Sequence, residues 1–168
     1  MRSEAQNNKK VIGGNIFVDV LNFKKVPAKV DTGADSSAIW ASSIKIAEDG
    51  TLKFKLFAPE SQFYTGEVVE TKDFKVVVTR SSHGDEKMFY RTHLPVKIDQ
   101  KKINAMFTLS DRKNNNFPIL IGRRTIANKF LVDVSKRVIV PSKNPKTAEL
   151  NQELKQNPHQ FYQKHSTN

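Results

Sequence analysis

Val26-Pro27-Ala28-Lys29-Val30-Asp31-Thr32-Gly33-Ala34-Asp35-Ser36 runs from an apolar strand, interrupted only by Lys29, into a tight polar loop. A carboxylate at the end of such a strand sits at the rim of the core, partly removed from water. Gly33 permits a sharp turn and the close approach of another backbone. Thr32 supplies a hydroxyl that can fix the loop. Taken alone, Asp-Thr-Gly is three common turn residues, and a side-chain-stabilised turn between strands explains it.

Around this stretch the chain reads as short strands. Asn15–Leu21 is β-rich and 22–25 is a turn candidate. Asp49-Gly50 marks a turn before the alternating Leu52-Lys-Phe-Lys-Leu56. Phe74–Thr79 and Met88–Ile98 read as strands joined by the polar tip Ser81-Ser82-His83-Gly84-Asp85-Glu86. A second hairpin turns at 99–102 and returns through Ile103–Leu109. Phe117–Ile121 reads as a buried strand, ending at Gly122-Arg123-Arg124 before a helix expected over 125–128. Segments 130–134 and 137–140 close the strand pattern. Many short strands with frequent turns predict an all-β barrel or sandwich. The expected domain spans 11–141, between a flexible lead-in at 1–10 and a polar tail at 142–168, disordered or partly helical, with one short helix over 147–156.

The order of motifs carries a resemblance. Hydrophobic-Asp31-Thr32-Gly33-Ala34-Asp35-Ser36, then a hairpin, then Pro118-Ile-Leu-Ile-Gly122-Arg123 before a short helix, resembles a retropepsin, the retroviral class of aspartic protease. Ala28–Ala34, Arg80–Gly84, Thr108–Arg112 and Phe117–Arg124 with Phe130–Asp133 are similar to the bacterial retropepsin-like family labelled ATP-dependent zinc proteases, whose members accompany ATP-grasp glutamate ligases. Asp35 departs from that family, where a basic residue is expected, and matches the retroviral choice. The resemblance covers about residues 12–140. It implies a closed retropepsin-like acid-protease barrel with one short helix after the Gly-Arg motif. It also implies roles. Asp31 is the catalytic carboxylate, Thr32 locks two loops across a dimer axis, and Gly33 and Ala34 complete the active-site loop. Arg123, after Gly122, pairs with Asp35 and braces the loop. Ser81, Ser82, His83, Gly84, Asp85 and Glu86 form a flap over bound peptide. There is one Asp-Thr-Gly in 168 residues, so a complete two-carboxylate site needs a symmetric homodimer.

Composition bounds the rest. With no cysteine, disulfides, thiolate zinc sites and Cys nucleophiles are excluded. No His-Glu-x-x-His motif occurs. His83, His93, Asp85 and Glu86 lie near one hairpin, where a solvated flap is preferred to a surface metal site. No Gly-rich phosphate loop is present, so neither metal nor nucleotide cofactor is expected. The net charge of +11 favours acidic partners, and with the glutamate-ligase link it points to acidic, Glu-rich polypeptide tails. Arg123-Arg124 beside Arg112-Lys113 is a weak nucleic-acid signal. Trp40 and the phenylalanines read as core. No apolar run reaches membrane-span length, and with no visible signal peptide the default compartment is the cytoplasm. Two alternatives stand beside a peptidase. One is a non-catalytic peptide-binding module on the same fold, and the other is a basic nucleic-acid-binding β-barrel.

Overall fold

The computed structural model describes residues 8–141 and 146–166. Its strands, in chain order, are β1 (Lys10–Gly13), β2 (Asn15–Val20), β3 (Phe23–Val30), β4 (Ser37–Ile46), β5 (Leu52–Leu56), β6 (Val68–Thr71), β7 (Phe74–Arg80), β8 (Glu86–Ile98), β9 (Lys101–Ser110), β10 (Ile119–Ile121) and β11 (Phe130–Asp133). Three helices interleave or follow: α1 (Arg123–Ile126), α2 (Lys146–Gln156) and α3 (Pro158–His165).

Six strands close on themselves in the order β10-β3-β2-β8-β9-β4, because β10 also pairs with β4. A closed ring leaves none of these strands as a free edge. The strands β5, β6 and β7 extend the wall. This is the expected all-β closed barrel. Inward positions alternate along the strands. In β9, Ile103, Ala105, Phe107 and Leu109 are buried between half-buried or exposed neighbours. Trp40, Phe54, Phe57 and Phe107 all lie in the core, as read from the sequence, whereas Phe17 is half exposed.

Local chemistry sets the turns. The β8–β9 hairpin turns on Asp99 and Gln100, both with positive φ, as a two-residue turn matching strand twist requires. The expected turn at 22–25 is tighter. Phe23 is buried and already pairs with Val20, so only Leu21 and Asn22 lie outside the strands. The strand expected over 137–140 does not form. The Asp133 carboxylate accepts from the Ser135 backbone N–H (3.0 Å) and hydroxyl (2.6 Å), which turns the chain and ends β11. The Lys136 carbonyl then accepts from Gly14 N–H (2.8 Å) and packs against Gly13, where a Cβ would overlap it.

The helix expected over 125–128 is α1, two residues earlier. Asn128, at φ 65°, prevents its continuation. In the tail, the helix expected over 147–156 is α2. It is followed by α3, whose cap Asn157 accepts from Gln160 N–H (3.1 Å) ahead of Pro158. Residues 1–7 of the expected lead-in and 142–145 and 167–168 of the tail lie outside the described residues, and Lys10 already belongs to β1.

Asp19 ties the β2–β3 hairpin together. The Lys25 backbone N–H that it accepts (2.9 Å) holds its carboxyl below the ordinary value of 3.8, helped by Lys24. A carboxylate with a depressed folded pKa stabilises the fold above its unfolded pKa, and loses that contribution as pH falls through the folded one. Asp19→Asn should therefore lower Tm at neutral pH. The gap to wild type should narrow as pH falls through the folded pKa and the Asp19 carboxylate gains its proton. Thermal scans against pH check this, and a gap unchanged at acid pH would contradict it.

Candidate active site

β3 and β10 are adjacent parallel strands, with Val30 opposite Ile121. The next residues, Asp31 and Gly122, therefore leave the barrel side by side. Asp31 N–H donates to the Ile121 carbonyl (2.9 Å), anchoring the loop to β10. Asp31 as a residue is half-buried, and its Oδ1 accepts from Gly33 N–H (3.0 Å). Thr32 and Gly33 are exposed. The Thr32 hydroxyl has no hydrogen-bond partner among the described residues.

Backbone bonds run from Arg123 N–H to the Ala34 carbonyl (2.8 Å) and from Arg124 N–H to the Asp35 carbonyl (3.2 Å). These lay the start of α1 against the loop. Gly122 makes this possible: a Cβ there would stand 2.5 Å from the Ser36 carbonyl carbon and 3.0 Å from the Ala34 oxygen. The expected Arg123–Asp35 brace is divided between two arginines. Arg124 Nε stands 2.9 Å from Asp35 Oδ2, whereas Arg123 Nη2 is 3.5 Å from Oδ1. Arg123 Nη1 instead donates to the Gly33 carbonyl (3.1 Å), with the Thr32 carbonyl at 3.4 Å. Both ion pairs are exposed, so their work is positional more than energetic.

Beneath the loop lies a buried polar contact that the sequence reading missed. Ser37 Oγ accepts from Gly122 N–H (3.0 Å) and bonds Thr125 Oγ1 (2.7 Å). Ser37 belongs to a run of small hydroxyl residues, and nothing local marks it as the one that turns inward. Ser37→Ala would strand the Gly122 N–H and the Thr125 hydroxyl, costing about 1–3 kcal/mol. A Tm loss of about 5 °C is expected, and an unchanged Tm would contradict this linkage.

The Ser81–Glu86 tip joins β7 and β8 as expected. It is fully exposed and is held by Ser81 N–H to the Asp85 carbonyl (2.8 Å), with Arg80 paired to Glu86 at its neck. Val78 lies opposite Met88 and Val76 opposite Tyr90. Val76, Val78 and Met88 are each more than half exposed, giving this hairpin an apolar stripe. His93 does not join the tip residues. It sits at the hairpin's root, where its Nδ1 is 3.3 Å from Asp73 Oδ2. No group of three or more His, Asp or Glu among the described residues is placed to hold a metal.

A cavity of about 520 Å³ lies beside the β7–β8 hairpin, between Trp40, Ile44, Met88, Tyr90 and Leu109. Asp31 does not line it. Of the weak basic signal read at Arg123-Arg124 beside Arg112-Lys113, Arg112 is turned inward. Arg112 Nε donates to the Phe117 carbonyl (3.1 Å), and burial pushes its guanidinium below its ordinary value. Among the described residues no helix is long and apolar enough to cross a membrane.

Residues 12–143 match a family described as RimB-like, "Retropepsin-like aspartic endopeptidase RimB". The chain is 26% identical over 132 residues to a "Probable alpha-L-glutamate ligase" of Desulfotalea psychrophila, covering 74% of this chain and 28% of that protein. It is 27% identical over 138 residues to a like-named protein of Shewanella pealeana, covering 77% and 30%. The chain thus spans less than a third of either relative. A structurally characterised Legionella pneumophila protein of unknown function shares 21% identity at a TM-score of 0.57, covering 76% of this chain and 95% of that one.

Proposed function

The chain belongs to the RimB-like family of retropepsin-like aspartic endopeptidases, and on that premise we propose that it hydrolyses peptide bonds as a homodimer, with water activated between two Asp31 carboxylates. The observation that carries this reading is a single Asp31 loop at the barrel rim, braced from both sides by α1 and β10. One carboxylate per chain cannot serve as both base and acid. Two facing copies, too close for both to ionise, share a proton. The ionised member takes a proton from water, and the protonated member donates to the scissile carbonyl oxygen. The unpartnered Thr32 hydroxyl supports loop-to-loop contact across the dyad, and the apolar stripe on β7 and β8 suits a flap over bound peptide.

Acidic polypeptide tails are the substrate this reading favours. Segments like this chain form part of longer relatives named for α-L-glutamate ligation, and an enzyme that links glutamates makes acidic peptide. The net charge of +11 agrees in sign. Cleavage profiling of peptide libraries is the test. Enrichment of Glu around the cut bond is expected, and enrichment of apolar or basic residues would overturn the substrate assignment.

A further inference from the structure

Behind the catalytic loop lies a second pocket, of about 330 Å³, lined by Ser36, Lys75, Arg91, His93, Arg124 and Lys129 with β9 as its floor. These residues come from β7, β8, α1 and two loops. No carboxylate lines the pocket. Two acids stand at its margins, and both are engaged: Asp35 with Arg124 (2.9 Å) and Asp73 with His93 (3.3 Å). Arg91 is held by neutral acceptors alone. Its Nε donates to Thr108 Oγ1 (3.0 Å) and its Nη2 to Ser36 Oγ (2.6 Å), which aim the guanidinium without neutralising it. Lys75 and Lys129 make no ion pair among the described residues. A concave site holding several cations and no acid attracts an anion.

Its position favours one kind of anion. Ser36, at the pocket wall, is five residues from Asp31. Five extended residues span at most about 18 Å. A peptide lying across Asp31, at about 3.3 Å per residue, reaches the pocket within about five residues. We propose that this pocket is a subsite for the carboxylate side chain of an acidic peptide, within about five residues of the cut bond. In a symmetric dimer each chain contributes one, so acidic residues are selected on both sides of the bond. A bidentate guanidinium contact suits a carboxylate. The inference rests on Asp31 being the cleavage centre, and its test separates the two claims.

The test uses the full chain carrying Asp31→Asn, so that peptide binds and is not cut. A fluorescent peptide with Glu at the flanking positions is compared with its Gln twin. The Glu peptide should bind about tenfold more tightly, and the combined Lys75→Gln, Lys129→Gln and Arg91→Gln variant should lose that preference. Affinity for the Gln twin should stay unchanged. Lys75→Gln with Lys129→Gln alone, which breaks no hydrogen bond among the described residues, should lose part of the preference and guards against misfolding. Loss of preference in the variants supports the pocket even if the wild-type chain proves unable to cleave. A preference that persists in the triple variant overturns it. So does a Tm rise with inorganic phosphate that the triple variant lacks, while both peptides bind alike, because that identifies a free-phosphate site.

Discussion

Asp31→Asn should abolish peptide cleavage, lowering the rate by about 10⁴-fold or more, while leaving the fold intact. The amide keeps the oxygen that accepts from Gly33 N–H, so the loop geometry has a ready substitute. The Asp31 N–H to Ile121 bond belongs to the backbone and is untouched. What disappears is the carboxylate that takes a proton from water. A dimer of two amides has neither base nor acid at its centre. Tm should therefore stay close to wild type while turnover falls to background. Retention of activity would show that some other group does the chemistry. Loss of activity together with loss of the fold would leave the chemistry to be tested by Asp31→Glu, which keeps the charge and misplaces it.

Gly122→Ala should be the most damaging small substitution at the site. The φ of Gly122, −89°, is one any residue adopts, so the cost is not conformational strain. It comes from space. The new methyl would run into the Ser36 carbonyl and press on the Ala34 oxygen. Those atoms are backbone and cannot rotate away. Relief requires α1 and the Asp31 loop to separate, which weakens the Arg123–Ala34 bond, the Gly122–Ser37 bond and the Arg124–Asp35 pair together. A cost of about 3 kcal/mol is expected, seen as a Tm loss of about 10 °C. Activity should fall even at temperatures where the chain remains folded, because the loop that carries Asp31 has moved. A variant as stable and active as wild type would contradict the packing described.

What was legible in the sequence was local. The Asp31 loop, the tip Ser81–Glu86 and a hairpin turn within 99–102, narrowed by the structure to Asp99 and Gln100, announce themselves through residues adjacent in the chain. The barrel's closure does not. It depends on β10, three residues long, pairing in parallel with β3 and antiparallel with β4. The parallel pairing of β1 with β11 is equally silent, since its partners lie more than a hundred residues apart. Parallel partners are joined by long connections and leave no turn signature. Arg124 shows the limit at the finest scale. Two adjacent arginines follow Gly122, and only the helical start of α1 decides that the second takes the shorter bond to Asp35. The Asn157-Pro158 start of α3 was readable from capping chemistry, and the sequence reading stopped at α2.

The central claim is that two chains make one active site, each giving Asp31. Mixing wild-type chains with Asp31→Asn chains, after exchange of subunits, tests it most directly. In an equal mixture half of the wild-type chains have an inactive partner, so activity per wild-type chain should fall to about one half, and to about one tenth in a ninefold excess of the variant. Activity per wild-type chain that stays constant across the whole mixing series would contradict a site shared between two chains.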